Sequence, residues 1–136
     1  MTWARLAPLD PSTPDYEHLE QVRFFNLLSN VNHPAARLAF AVPNQAVAKF
    51  RSKAARVRFW KEGVRAGAPD VLVLWPIGER HGLALEFKRP GENPRPEQVE
   101  FLERLDAAGY QTAVVFSAKQ AFQTLLEYLE VEVNWR

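Results

Sequence analysis

Hydrophobic positions along the chain follow two rhythms, one of helical spacing and one of short continuous runs. From Asp15 onward, Leu19, Val22, Phe25 or Asn26, and Leu28 recur every three to four residues, which predicts a helix to about Asn30. Asn32-His33-Pro34 breaks that pattern. Arg37 to Val42 is a brief apolar run closed by Pro43-Asn44 and predicts a strand. A helix follows from about Ala46 to Lys61, with Gly63 placed to end it. Val71 to Trp75 and Gly82 to Lys88 are two apolar runs joined through Pro76-Ile77-Gly78, the pattern of a hairpin. Pro90 to Pro96 reads as a loop. Pro96 takes the favoured first position of a helix whose stripe is Val99, Leu102, Leu105 and Ala108, and Gly109 terminates it. Thr112 to Phe116 predicts a third buried strand, and Ala121, Phe122, Leu125, Leu126 and Leu129 the stripe of a last helix. Residues 1–14, with three prolines, read as an irregular leader, and 15–136 as a single domain. The order of elements predicts an α/β domain with one mixed sheet flanked by helices.

Composition bounds the chemistry. With 136 residues, 47% of them hydrophobic, the chain can bury a core without a covalent staple. It has no cysteine, which excludes disulfides, thiolate metal sites and a cysteine nucleophile, and leaves oxygen or imidazole as metal ligands. No apolar run approaches the ~20 residues of a spanning helix, and the first residues lack the order of a signal peptide. These features set the expectation of a soluble, cytoplasmic protein with no membrane partner.

The formal net charge of +1 conceals a segregation. Lys49, Arg51, Lys53, Arg56, Arg58, Lys61 and Arg65 are opposed locally by Glu62 alone, an excess of +6, so the remainder carries −5. A basic segment set against an acidic remainder is the footprint of a domain that meets a polyanion along one face. Phe50, Val57, Phe59 and Trp60 are interleaved with these cations. They fit either the anchoring of an amphipathic helix in the core or stacking on bases, and the core is the expected home of most of them.

Chemistry concentrates between Gly67 and Lys88. Along the second hairpin strand, Leu83, Leu85 and Phe87 point one way while Ala84, Glu86 and Lys88 point the other. A carboxylate and an ammonium on one face of a covered sheet are costly to bury without a partner or a function. Asp70, which follows Pro69 at the start of the paired strand, can reach the same place. Two carboxylates and a lysine converging there suit a hard divalent cation such as Mg²⁺, which takes one or two carboxylates and keeps several waters. Glu17 and Gln21 share one face of the first helix, with Glu20 adjoining, and could bring a third carboxylate. Gln98 lies one turn before Leu102 and faces inward, where it needs a hydrogen-bond partner near Lys88. His18, His33 and His81 are scattered without zinc-ligand spacing, which places them at the surface or in caps.

The ordered set Glu17 with Gln21, Gly67-Ala68-Pro69-Asp70, Glu86-Phe87-Lys88-Arg89-Pro90, Pro96-Glu97-Gln98 and Ala108-Gly109-Tyr110 resembles the VRR-NUC nucleases of the PD-(D/E)XK superfamily. It is most similar to the stand-alone, virus-type members. The resemblance extends to Phe40-Ala41-Val42-Pro43-Asn44, Glu62-Gly63-Val64-Arg65-Ala66-Gly67 and His81-Gly82-Leu83, and covers roughly Tyr16 to Leu129. It implies a restriction-endonuclease-like core and a Mg²⁺- or Mn²⁺-dependent DNA endonuclease of a bacterial or phage-infected cell. Asp70, Glu86, the backbone carbonyl of Phe87 and Glu17 would ligate the metal, with Glu17 preferred over Glu20. Lys88 would be the catalytic lysine, and Gln98 and Gln21 the supporting glutamines. Lys49, Arg51, Lys53, Arg56, Arg58, Lys61 and Arg65 would meet DNA. Two departures stand out: Ala113 to Ser117 has no basic residue where the family strand usually ends in them, and Arg95 replaces a common helix-capping serine.

Stand-alone members resemble homodimeric enzymes that cut four-way (Holliday) junctions, so branched DNA and a homodimer are expected here. The competing expectations are a catalytically silent DNA-binding module of the same fold and a sequence-specific restriction-type endonuclease. Intact Asp70, Glu86 and Lys88 argue against the first, and the lack of an extra recognition segment against the second.

Overall fold

Four strands form one sheet in the order β1 (Ala39–Ala41), β2 (Val71–Val73), β3 (Leu83–Phe87) and β4 (Gln111–Val115). A computed structural model describes residues 3–43 and 52–130 of the chain. β1 pairs antiparallel with β2, β2 antiparallel with β3, and β3 parallel with β4. The expected hairpin is therefore β2–β3, its turn closed by a bridge between Ile77 and Arg80. The parallel pair requires a crossover, which α3 (Pro96–Ala107) supplies. This is the mixed sheet with flanking helices that the pattern of elements predicts.

One face of the sheet carries the core. Val71, Val73, Leu83, Leu85, Phe87 and Val115 meet Phe24 and Leu28 of α1 (Tyr16–Leu28) and Phe122, Leu125 and Leu129 of α4 (Ala118–Leu129). All five residues of β3 are buried, so the strand that bears Glu86 is the sheet's interior. On the other face α3 lies over β4, while Phe40 and Leu74 at the β1–β2 end remain substantially exposed.

Helix ends follow local chemistry. The Ser117 hydroxyl accepts the Gln120 N–H (3.0 Å) and Gln120 Oε1 accepts the Phe116 N–H (2.7 Å), a reciprocal cap at the start of α4. Gly109, at φ +97°, lets the chain leave α3 as the Tyr110 N–H returns to the Leu105 carbonyl (3.0 Å). Arg95 is the N-cap of α3 and, being a donor only, caps nothing with its side chain.

Three expectations need correction. The buried face of α1 is Tyr16, Glu20, Phe24 and Leu28, and Leu19 and Val22 are exposed. A stripe spaced by four passes through a glutamate, which apolar counting skips. The strand after α3 starts at Gln111 and lies at the sheet edge, so it is half-buried rather than buried throughout. The basic helix, α2 (Lys53–Lys61), has no buried residue: Val57 and Trp60 are exposed instead of anchoring it in the core. Its expected beginning near Ala46, together with Lys49, Phe50 and Arg51, lies outside the described residues.

The segment before α1 is docked along the domain. Trp3 stacks edge-on against Phe122 with ring centroids 5.3 Å apart, and Arg23 donates to the Ala7 carbonyl (2.7 Å).

Candidate active site

Asp70 ends the β2–β3 ladder with its own side chain. Its N–H donates to the Leu85 carbonyl (3.0 Å), its carbonyl accepts the Val42 N–H from the β1 side (2.8 Å), and Oδ2 accepts the Phe87 N–H (2.7 Å). The carboxylate thus takes a place that a backbone carbonyl would fill in a continuing sheet. Pro69, which has no N–H to pair, fixes φ just before it. Asp70 is only 4% exposed and is held beside Glu86 and Phe87.

Glu86, in β3, and Lys88, the residue just after it, project on the face opposite the core, as alternation requires. They are 2% and 7% exposed, with Lys88 Nζ 4.0 Å from Glu86 Oε1. Gln98, in the first turn of α3, receives the Arg95 N–H at Oε1 (2.8 Å) and donates through Nε2 to Glu86 Oε1 (2.8 Å). The backbone bond fixes which end of the amide faces the carboxylate. Gln98 therefore satisfies its need for a partner at Glu86, beside Lys88.

Glu86 Oε2 is buried and finds no hydrogen-bond partner among the described residues. Burial raises the Glu86 pKa from the ordinary carboxylate value to about 8, the negative charges of Asp70 and Glu17 add to the rise, and the Lys88 and Arg95 cations oppose it. A carboxylate so placed asks for a cation. Among the described residues no three His, Asp or Glu side chains cluster closely enough to hold a metal alone. Two carboxylates with water in the remaining positions are, however, what Mg²⁺ or Mn²⁺ requires, and every donor here is oxygen. The residues fit a hard divalent ion.

The acids of α1 separate in space. Glu17 is half-buried, its Oε1 accepts the Arg89 N–H (3.2 Å), and its charge is felt at Glu86. Glu20, 1% exposed, serves the packing of α1 on α4: Oε1 accepts the Leu9 N–H (2.8 Å) and pairs with Arg23 Nη1 (2.6 Å), and Oε2 accepts the Ala118 N–H (2.7 Å). Gln21 is half-buried on α1. Of the expected DNA-facing cations, Lys53, Arg56, Arg58, Lys61 and Arg65 are exposed on or just after α2, and Lys49 and Arg51 lie outside the described residues. Among the histidines, His33 is a cap whose Nδ1 accepts the Ala35 N–H (3.0 Å), and His18 and His81 are exposed.

Gly67 frames the site from the loop before Asp70. At φ +84° it backs onto the first turn of α3, where a Cβ would lie 2.5 Å from the Glu97 carbonyl oxygen. That close approach sets Asp70 against the turn that carries Gln98. A glycine three residues before the aspartate is the signal available in sequence.

A mixed sheet between helices, with an aspartate entering one strand and Glu-Phe-Lys leaving its neighbour, is the architecture of the PD-(D/E)XK class. The model of the VRR-NUC domain matches residues 11–119. The chain belongs to the VRR-NUC family, whose nucleases act on DNA and generally depend on a divalent metal. A solved structure described as a VRR_NUC domain protein has the same fold, with a TM-score of 0.72 over 87% of this chain and 91% of its own, at 23% identity. No curated protein matches the chain in sequence. Among the described residues no helix is long and apolar enough to cross a membrane.

Proposed function

We propose that this chain is a Mg²⁺- or Mn²⁺-dependent DNA endonuclease, with Asp70 and Glu86 as metal-holding carboxylates and branched DNA such as four-way junctions as substrate. The observation that carries the reading is Glu86 Oε2, a buried carboxylate oxygen without a partner, next to Asp70 and Lys88. A cluster that merely closed the sheet would satisfy that oxygen, because a buried polar atom left without a hydrogen-bond partner is costly whether the group is ionised or protonated.

Asp70 and Glu86 would hold a divalent ion that, when bound, would neutralise charge at the scissile phosphate and lower the pKa of water. The Phe87 carbonyl would complete the protein's share of the ion's ligands. Lys88 Nζ orients the attacking water and offsets charge on the phosphorane. Gln98 holds Glu86 Oε1 so that Oε2 stays directed away from it. Glu17, whose Oε1 accepts the Arg89 N–H, would be the further metal-ligating carboxylate, from the first helix. Gln21 supports Glu17 from the same helix. The exposed cations of α2 hold the DNA backbone. A homodimer would present two sites to a symmetric junction, in keeping with the isologous geometry of most dimers.

The deciding test is cleavage of a labelled four-way junction beside flap, linear duplex and single-stranded DNA, in Mg²⁺, Mn²⁺ or chelator, for the wild type and Asp70→Ala. Cutting of the junction in metal, lost in chelator and in the variant, is expected. Equal cutting by Asp70→Ala rejects the site. Salt-sensitive binding with no cutting of any DNA supports the silent module, and equal cutting of duplex and junction rejects branch selectivity. Sedimentation of the protein alone and on DNA reads the dimer directly.

A further inference from the structure

The α2 segment combines two features that simple phosphate binding does not require together. It presents Lys53, Arg56, Arg58, Lys61 and Arg65 against the single acid Glu62, which already pairs with Arg58 (3.4 Å). It also carries Trp60, which at 63% exposure is the most exposed large hydrophobic side chain among the described residues. An indole left in water on a helix without buried residues contributes little to folding. One face of it is nonetheless backed by a cation. Arg65 donates through Nη1 to the Trp60 carbonyl (2.8 Å) and to the Val64 carbonyl (3.3 Å), and places its guanidinium over the indole, 5.3 Å from the ring centroid. Gly63, at φ +98°, makes the turn that brings Arg65 back, with its N–H on the Trp60 carbonyl (3.1 Å) and the Val64 N–H on Phe59 (3.0 Å).

A planar cation laid on one side of a solvent-exposed indole, within a belt of positive charge, is a prepared stacking platform. We propose that Trp60, backed by Arg65, stacks on an unpaired DNA base, while the surrounding cations hold the flanking phosphates. This rests on the reading of the protein as a DNA nuclease and gives the proposed preference for branched substrates a physical cause. In a continuous duplex each base face is covered by its neighbours. At a branch, gap or frayed end a face is free. The cations draw in any DNA, and Trp60 distinguishes DNA that offers an open base.

The test uses the full chain carrying Asp70→Ala, with or without Trp60→Ala or Trp60→Phe. Binding is measured in chelator by fluorescence anisotropy on a fully paired duplex and on the same duplex with a short unpaired gap, and a denaturing gel of the recovered probe checks that it is uncut. Trp60→Ala should weaken binding to gapped DNA roughly 10- to 100-fold and to paired duplex by less than about 2-fold, with the salt dependence unchanged. Trp60→Phe should keep most of the preference. Unchanged circular dichroism and thermal midpoint confirm that the exposed substitution leaves the fold intact. Equal loss on both probes, or no loss on either, overturns the platform. So does dissociation of a dimer by Trp60→Ala, which would make the occupant a second copy of the chain. If the protein without a Trp60 substitution binds neither probe, the nuclease reading fails instead, and the two failures are distinct.

Discussion

Two glutamates sit at nearly equal depth, Glu20 at the seam of α1 and α4 and Glu86 on the far side of the sheet in β3, yet their surroundings differ completely. Both Glu20 oxygens are occupied by the N–H groups of Leu9 and Ala118 and by the Arg23 guanidinium. Glu86 has one oxygen on Gln98 and the other buried with no partner among the described residues. Burial therefore does not distinguish structural from functional carboxylates. On the proposed reading satisfaction does: both Glu20 oxygens have partners, whereas Glu86 Oε2 has none among the described residues, which is where an ion would be held.

The sharpest way to break this contrast is Glu86→Gln. It removes the charge, keeps the shape, and should lower cleavage on the order of 10³-fold if the carboxylate holds the ion. It should also change the pH dependence of stability. Because folding raises the Glu86 pKa from 4.5 to about 8, the folded state holds a proton that the unfolded state has lost. In chelator, Glu86 thus contributes a fall in stability as pH rises from near 4.5 to about 8, and none above. Denaturation across that window should show the fall in wild type and a shallower one in Glu86→Gln. Identical profiles would show that Glu86 titrates normally.

Glu20→Ala should do the reverse. Two backbone N–H groups and Arg23 lose their acceptor, at a cost of about 2–3 kcal/mol in urea denaturation, while folded protein keeps its specific cleavage rate. A large fall in the rate of fully folded Glu20→Ala would join this residue to the site and collapse the contrast.

Gly67→Ala tests the frame around Glu86 with the smallest change. Its methyl would press on the Glu97 carbonyl at a backbone angle that disfavours alanine, and so shift Gln98. Cleavage should fall about 10-fold through misplacement of the site, with roughly 1–2 kcal/mol lost in stability. An unchanged rate with the full stability loss would confine Gly67 to packing.

Much of the site is legible from backbone geometry alone. Glu86 and Lys88 share a face because strand side chains alternate, and Asp70 follows a proline at the mouth of the paired strand. The supporting glutamine stands out as a polar residue on an inward position of a helix start. The exposure of Trp60 was not legible, since an aromatic among basic residues serves equally well as a core anchor, and only the packing of α2 on the rest of the domain decides. Nor was the burial of the last strand, because its apolar run does not tell a central strand from an edge.

The sequence by itself determined the order of elements, the hairpin, the turns at Gly63 and Gly109, and the common face of Glu86 and Lys88. These depend on steric preferences and periodicities acting over a few residues. Tertiary structure alone decided which acids are satisfied. Glu20 is satisfied in part by an N–H 98 residues away, and Glu86 is steadied by a glutamine from the crossover helix. Hydrogen-bond completeness is set by contacts between distant segments, and no local pattern contains it.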